Sequence, residues 1–194
     1  LGVSCFTSKD LKKWTNHGLV LPVSNEPGSD IRGGCIIERP KVLYNQKTRK
    51  FVMWFHLELK GQGYAAARYG VATSDTPFGP FKFIRSGRVN PGIYPVGFAK
   101  PDTTDLKHQL LFPELKNWWT PEWRKQIERG MFWMRDFQGV QMSRDMTSFI
   151  DDDGKAYHIY SSEENLTLQI AQLTDDYMQH NGCYVRVAAG GQNE

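Results

Sequence analysis

The sequence predicts an all-β protein. Of its 194 residues 13% are aromatic, six of them Trp, and 40% are hydrophobic, which suits a packed sheet protein and not a disordered chain. Most of the chain consists of short β-prone runs separated by turns rich in Gly, Pro, Asn and Asp. No long amphipathic helical pattern lies between those runs, so a fold of alternating strands and helices is disfavoured.

The β-prone runs form two groups along the chain. The first group comprises residues 2–6, 11–14, 36–44, 50–56 and 69–74, and the second comprises 147–150, 156–160 and 166–173. The turn 151–154, Asp-Asp-Asp-Gly, predicts a hairpin between two runs of the second group. An EF-hand is excluded there, because Lys155 takes a ligand position and no Glu occupies the twelfth.

The two groups resemble each other. Residues 39–54 can be aligned with 144–160, since each contains a β-prone run, a polar turn and a second run. Hairpin units that recur along a chain are typical of propeller blades. The segment 85–142 breaks this rhythm and is interpreted as an insertion. Within it we expect a short helix with Thr120 as N-cap, Pro121 in the first turn and Gly130 at its end.

Composition narrows the classes of function. The 24 Lys and Arg residues are scattered and the net charge is only +3, which disfavours a nucleic-acid partner. The sequence contains no run of 18 apolar residues, so no membrane-spanning helix is predicted. The three cysteines, Cys5, Cys35 and Cys183, are far apart and indicate neither a zinc site nor a disulfide framework. We expect buried free thiols, with a single disulfide as the alternative in an exported protein.

Acidic residues stand beside several predicted strands. They are Glu38, Asp145, Glu163 and Glu194. In a propeller the first strand of each blade lines the central channel, so acids at equivalent strand ends converge there. Convergent carboxylates are what glycosidic cleavage requires, with one protonated acid for the leaving oxygen and one ionised base for water. The alternatives are a solvated pair of Glu38 with Arg39, a turn cap at Asp145 and a frayed terminus at Glu194.

Two histidines and three tryptophans could have either a structural or a functional role. His56 and His158 lie in apolar runs and are expected to be hydrogen-bonded core residues. Trp118, Trp119 and Trp123 are expected to pack the inserted helix onto the sheets, with a sugar-stacking platform as the alternative.

Several motifs together resemble glycoside hydrolase family 43. They are Glu38-Arg39-Pro40-Lys41-Val42-Leu43-Tyr44-Asn45, Phe51–His56, Gly70–Asp75 with Gly79-Pro80-Phe81, Ser143-Arg144-Asp145-Met146-Thr147 and Phe149–Asn165. The branch they resemble contains the exo-β-1,3-galactanases. The resemblance covers nearly the whole chain.

The resemblance implies an incomplete five-bladed β-propeller, of which residues 1–194 supply about three blades. It also implies inversion at a terminal sugar, with Glu194 as general acid and Asp145 tuning and orienting that acid. Glu38 matches a substrate-contacting glutamate, Glu163 is a second candidate acid in the channel, and Arg144 would neutralise local charge. The usual base, an aspartate of the first blade, would lie upstream of Leu1 or be absent, so we expect an internal fragment of a larger enzyme.

The resemblance also sets expectations for substrate and surroundings. We expect hydrolysis of a plant-type polysaccharide, most of all β-1,3-galactan. An arabinofuranosidase, xylosidase or galactofuranosidase on the same fold and a non-catalytic carbohydrate-binding propeller are the alternatives. The reaction would need no cofactor, and a structural calcium ion is left open. We expect a monomer that acts outside the cell or in the periplasm on an oligo- or polysaccharide, without nucleic acid or a membrane span.

Overall fold

A computed structural model describes residues 1–98 and 119–191 as ten strands and two helices. The strands are β1 (Gly2–Thr7), β2 (Thr15–Pro22), β3 (Ile36–Asn45), β4 (Lys50–Glu58), β5 (Arg68–Ser74), β6 (Lys82–Gly87), β7 (Met146–Ile150), β8 (Ala156–Ser162), β9 (Thr167–Leu173) and β10 (His180–Val187). The helices are α1 (Pro121–Glu128) and α2 (Met131–Asp136).

The strands form two four-stranded antiparallel sheets and one two-stranded sheet. The first large sheet has the order β3-β4-β5-β6 and the second the order β7-β8-β9-β10, while β1 pairs with β2. Each large sheet is a meander of sequential neighbours, which is the form of a propeller blade. The all-β prediction is therefore confirmed. About three blades were expected, and the described residues form two four-stranded blades and one two-stranded sheet.

Alternate side chains of β4 point into a core between the two large sheets. Trp54 is fully buried there, and its indole Nε1 donates to the Tyr177 carbonyl at 2.8 Å. Successive strand residues point to opposite faces, so Val52 shares this face with Trp54. The packed residues of this core include Leu43, Val52, Trp54, Val71, Met146, Ala156, Tyr160, Ala171, Leu173 and Tyr184.

The other face of β4 packs against the β1–β2 sheet. Its residues Met53, Phe55 and Leu57 are buried with Val3, Val20, Leu21 and Phe81. Gly70 on β5 makes room for the Phe55 ring, since a Cβ at Gly70 would lie 2.2 Å from Phe55 Cε2. A strand buried on both faces explains why β4 is a nearly continuous apolar run.

The inserted helix is confirmed with its predicted caps. Thr120 Oγ1 accepts the Trp123 amide at 3.2 Å, and Gly130 follows the helix in the left-handed region at φ 97°. Trp123 is 1% exposed, as the packing interpretation requires, and Trp119 is 50% exposed. Trp118 lies outside the described residues.

The insertion begins later than the sequence suggested. Residues 85–87 belong to β6, and an isolated bridge between Val89 and Gln141 joins the two ends of the inserted segment. The helix α2 was not predicted. It buries Met131, Phe132 and Trp133 beside α1 and Leu166.

Four strand assignments differ from the sequence prediction. Residues 11–14 form a turn instead of a strand, because Asp10 Oδ1 accepts the amides of Lys12 and Lys13 and caps the turn. The strands β6 and β10 were missed, as was β2. All three cysteines are free thiols, as expected, but none is fully buried: Cys5 and Cys35 are partly exposed and Cys183 is exposed.

His158 is a hydrogen-bonded core histidine, as predicted. Its Nδ1 lies 2.9 Å from His180 Nε2, and the two rings pack among Trp54, Tyr69 and Tyr160. Burial lowers the pKa of His158 well below its usual value and that of His180 to about 4, so both imidazoles are neutral at pH 7.

Candidate functional site

The inner strands of the two blades, β3 and β7, lie against each other. Glu38 is the third residue of β3, and Asp145 directly precedes β7. The sheet orders place both strands at the inner edge of their blades, so their beginnings carry these two acids to one region. The convergence expected for Glu38 and Asp145 is therefore present.

A β-bulge turns Arg39 toward Asp145. Glu38 pairs with His56 and Lys41 with Trp54, so Arg39 and Pro40 together oppose the single residue Phe55, and β3 carries one extra residue here. Arg39 has φ 53°, an uncommon conformation for a residue with a side chain. Its Nε lies 2.9 Å from Asp145 Oδ1, and this ion pair links the two blades.

The backbone around Asp145 is held by the neighbouring strand. The Ser161 amide donates to the Asp145 carbonyl at 2.8 Å, and the Arg144 amide donates to the Ser161 carbonyl at 2.9 Å. The Asp145 side chain is 25% exposed and that of Arg39 is 56% exposed. The backbone of Asp145 is thus fixed by β8, while its carboxylate is partly exposed and pairs with Arg39.

Glu38 carries two further contacts. The Tyr64 hydroxyl donates to Glu38 Oε1 at 2.9 Å, and His56 Nδ1 lies 3.3 Å from Glu38 Oε2. The hydrogen bond to Glu38 and its negative charge raise the pKa of Tyr64, and the Asp145 carboxylate contributes to the same shift. The phenol therefore lies in the field of both acids.

Arg144 joins the site to the turn after β8. Its Nη2 donates to the Tyr64 carbonyl at 3.2 Å and to Glu164 Oε2 at 3.4 Å. Glu164 also accepts from Arg135 of α2 at 3.0 Å. Arg144 thus pairs with Glu164 and braces the loop that carries Tyr64.

Glu163 has a different environment from the one expected. Its side chain is fully buried, with Oε1 2.6 Å from Arg186 Nε and Oε2 2.7 Å from Arg186 Nη2. Thr167 Oγ1 also donates to it at 3.0 Å. A carboxylate with both oxygens occupied inside the protein is not open to a sugar, and the expected substrate contact at Glu163 is corrected to a structural ion pair.

The turn itself explains this placement. Glu163, Glu164 and Asn165 have φ values of 54°, 59° and 64°, three successive residues in the left-handed region. Such a turn costs free energy and persists only where its surroundings fix it. Here it directs Glu163 inward to Arg186 and Glu164 toward Arg144.

Glu194 lies outside the described residues. The last described residues return to this turn, because the Gly190 amide donates to the Leu166 carbonyl at 2.8 Å. Leu166 is two positions after Glu164, which pairs with Arg144.

The sequence analysis missed three members of the site. They are Tyr64, Glu164 as the partner of Arg144, and Glu58, whose Oε1 lies 2.8 Å from His56 Nε2. The signal for Glu58 was present, since His56 and Glu58 stand two residues apart on one strand and hence on one face. In the described ranges, no three His, Cys, Asp or Glu side chains are grouped to hold a metal ion. A cavity of about 550 Å³ lies at the opposite ends of β3 and β7 and is lined by Tyr44, Asp153 and Tyr177, among others.

Several solved structures are similar to this chain. A structure described as a GH43 β-1,3-galactosidase with galactodeoxynojirimycin is 59% identical over 98% of this chain and 55% of its own, with a TM-score of 0.89. The exo-β-1,3-galactanase 1,3Gal43A from Clostridium thermocellum is 34% identical over 99% of this chain and 32% of its own, with a TM-score of 0.70.

A third similar structure is an exo-β-1,3-galactanase variant from Phanerochaete chrysosporium with β-1,3-galactotriose. It is 29% identical over 93% of this chain and 30% of its own, with a TM-score of 0.61. The chain thus spans about half the length of the first of these structures and about a third of the other two. No protein-family model and no curated protein matches the chain.

Proposed function

Because this chain belongs to glycoside hydrolase family 43, we propose that it forms part of an exo-acting, inverting glycosidase that removes terminal β-1,3-linked galactose. The observation that carries the proposal is the joining of two blades at Glu38, Arg39 and Asp145. The proteins with similar structures are described as acting on β-1,3-galactosides.

The residues take separate roles in this proposal. Glu194 donates a proton to the leaving oxygen, and Asp145 favours the protonated form of Glu194 by placing a negative charge nearby. Glu38, held by Tyr64, accepts a hydrogen bond from a sugar hydroxyl. Arg39 and Arg144 limit the build-up of negative charge. Water attacks from the opposite face of the ring and passes its proton to a general base that is not among these residues, which inverts the anomeric centre.

The site of action follows from the substrate. A galactan is a polymer that does not enter a cell intact, so we place the protein outside the cell or in the periplasm, as a monomer. No helix in the described ranges is long and apolar enough to cross a membrane.

The proposal is tested by galactose release from β-1,3-galactobiose by the protein that carries this chain. Glu194→Gln should reduce kcat by about 10²-fold or more, the usual contribution of a general acid. Asp145→Asn should also lower kcat. Asp152→Asn, which changes an exposed turn carboxylate, is the matched control and should leave the rate unchanged.

Product stereochemistry gives an independent test. Proton NMR of the first turnovers should show α-galactose from the β-linked substrate. β-Galactose as first product would refute inversion. Hydrolysis of aryl arabinofuranosides or xylosides instead of galactobiose would show that the enzyme removes a different sugar. If the wild-type protein and Glu194→Gln both bind sugar and show the same trace turnover, the protein is a carbohydrate-binding module.

A further inference from the structure

Three acidic or basic side chains run in line from the interior of the first blade to the candidate site. Glu58 Oε1 lies 2.8 Å from His56 Nε2, and His56 Nδ1 lies 3.3 Å from Glu38 Oε2. The exposed fraction of the side chains rises along this line, from 0% at Glu58 to 3% at His56 and 37% at Glu38. The line thus connects a fully buried carboxylate to one that a ligand can reach.

The strand register creates this line. His56 and Glu58 share one face of β4, and Glu38 is the cross-strand partner of His56. Glu58 is fixed at its second oxygen as well, because the Ala67 amide donates to Oε2 at 2.9 Å. Ala67 is fully buried with φ 45°, so the loop after β4 is bent to bring this amide to the carboxylate.

A buried carboxylate requires a compensating charge or proton. In the described part of the chain, the basic side chain within 4 Å of the Glu58 carboxylate is His56, whose imidazole is charged only when it is protonated. The oxygens of an ionised carboxylate only accept hydrogen bonds. An imidazole that forms hydrogen bonds to both Glu58 and Glu38 must therefore donate from both of its nitrogens. An imidazole that donates from both nitrogens is cationic.

The contact between His56 and Glu38 is the looser of the two. At 3.3 Å it is within ion-pair range, but it is not aligned as a hydrogen bond, and Nδ1 is buried. Hydrogen bonds in unliganded active sites are often long and shorten when substrate binds. His56 is therefore placed to hold Glu38 once a sugar occupies the site.

We propose that His56, kept cationic by the buried Glu58 carboxylate, is a positioning residue that orients Glu38 toward a hydroxyl of the substrate. The Tyr64 hydroxyl donates to the other oxygen of Glu38. The inference rests on the proposed function, in which Glu38 contacts the sugar. The titratable groups beside His56 are Glu58 on its own strand, Glu38 on β3, Tyr69 on β5 and Tyr64 in the loop.

The charge on His56 can be measured without any turnover. Nitrogen-15 NMR of the imidazole rings at pH 7.5 should show His56 protonated at both nitrogens in the wild-type protein. The matched internal control is His158, a buried histidine that bonds to His180 and should be neutral in the same spectrum. Glu58→Gln should convert His56 to a neutral tautomer and leave His158 unchanged. A neutral His56 in the wild-type protein overturns the proposal, whether or not the variant folds.

The positioning role is measured by kinetics on β-1,3-galactobiose. Glu58→Gln should lower kcat/KM by about 10- to 100-fold, mainly through KM, because a misplaced Glu38 weakens substrate binding. Asp30→Asn is the control in the same blade, since Asp30 bonds to Ser86 and Arg68 and contacts none of these residues. A folded Glu58→Gln variant with wild-type kcat/KM refutes the role. If the wild-type protein releases no galactose, the proposed function fails, while the NMR result still decides the charge of His56.

Discussion

Glu163→Gln is expected to destabilise the folded protein strongly while leaving sugar binding intact. The Glu163 side chain is fully buried and meets Arg186 at 2.6 and 2.7 Å in a two-point ion pair. Arg186 also donates to the Ile127 and Glu128 carbonyls at the end of α1, so the pair fastens the inserted helix to the second blade.

The magnitude follows from what remains after the substitution. Removing one partner of a buried ion pair costs about 3–5 kcal/mol, because the other charge stays buried without its counter-charge. The two helix carbonyls still accept from Arg186 and compensate in part. We therefore expect the lower end, about 3 kcal/mol, which corresponds to a fall in Tm of about 6–12 °C for a protein of this size.

Urea denaturation followed by fluorescence measures the change, since the described tryptophans include Trp123 and Trp133 beside the pair. Glu164→Gln is the matched control at the adjacent position. Its carboxylate is 28% exposed and pairs with Arg135 and Arg144, so its loss should cost less than about 1 kcal/mol. Unchanged stability of Glu163→Gln together with a raised KM for galactobiose would refute the structural assignment and restore Glu163 as a substrate contact.

Three further changes test the packing. Stability should fall as pH drops from about 6.5 toward 4, because burial lowers the pKa of His180 to about 4 and that of His158 well below its usual value, so that only the unfolded chain takes up these protons. The share of His180 is up to about 3 kcal/mol, and in urea titrations His180→Asn should remove that share and leave the share of His158. Gly70→Ala should cost about 1–3 kcal/mol, since its Cβ would meet the Phe55 ring at 2.2 Å, and an unshifted urea midpoint would show that the ring can move aside. Thr120→Ala should cost about 1 kcal/mol by removing the cap of α1, and Thr120→Ser should retain it, as thermal melts would show.

Local patterns were sufficient for the elements with a buried face. The run β4 is apolar on both faces because one packs on the second blade and the other on β1–β2, and a continuous apolar run predicts a strand. The helix α1 was predicted from Thr120, Pro121 and Gly130, because caps act on the adjacent backbone and need no distant partner.

The strands at the outer edges of the blades were missed because they lack a clear buried face. Only one of the eight residues of β10 is buried, and its Asn181-Gly182 sequence resembles a turn. Pairing of residues 184–187 with β9 makes it a strand nonetheless. The run 11–14 was assigned to a strand from its composition, whereas Asp10 closes a turn there with its own side chain.

By itself the sequence determined the all-β class, the two hairpin groups and the positions of Glu38 and Asp145 at strand beginnings, because these depend on local alternation and turn chemistry. Only the tertiary structure decided which way each acid faces. The bulge at Arg39 and the register of β3 on β4 set the surroundings of Glu38, while Arg186, 23 positions away, draws Glu163 inside. Side-chain direction depends on pairing between distant segments, and a one-residue change of register reverses it.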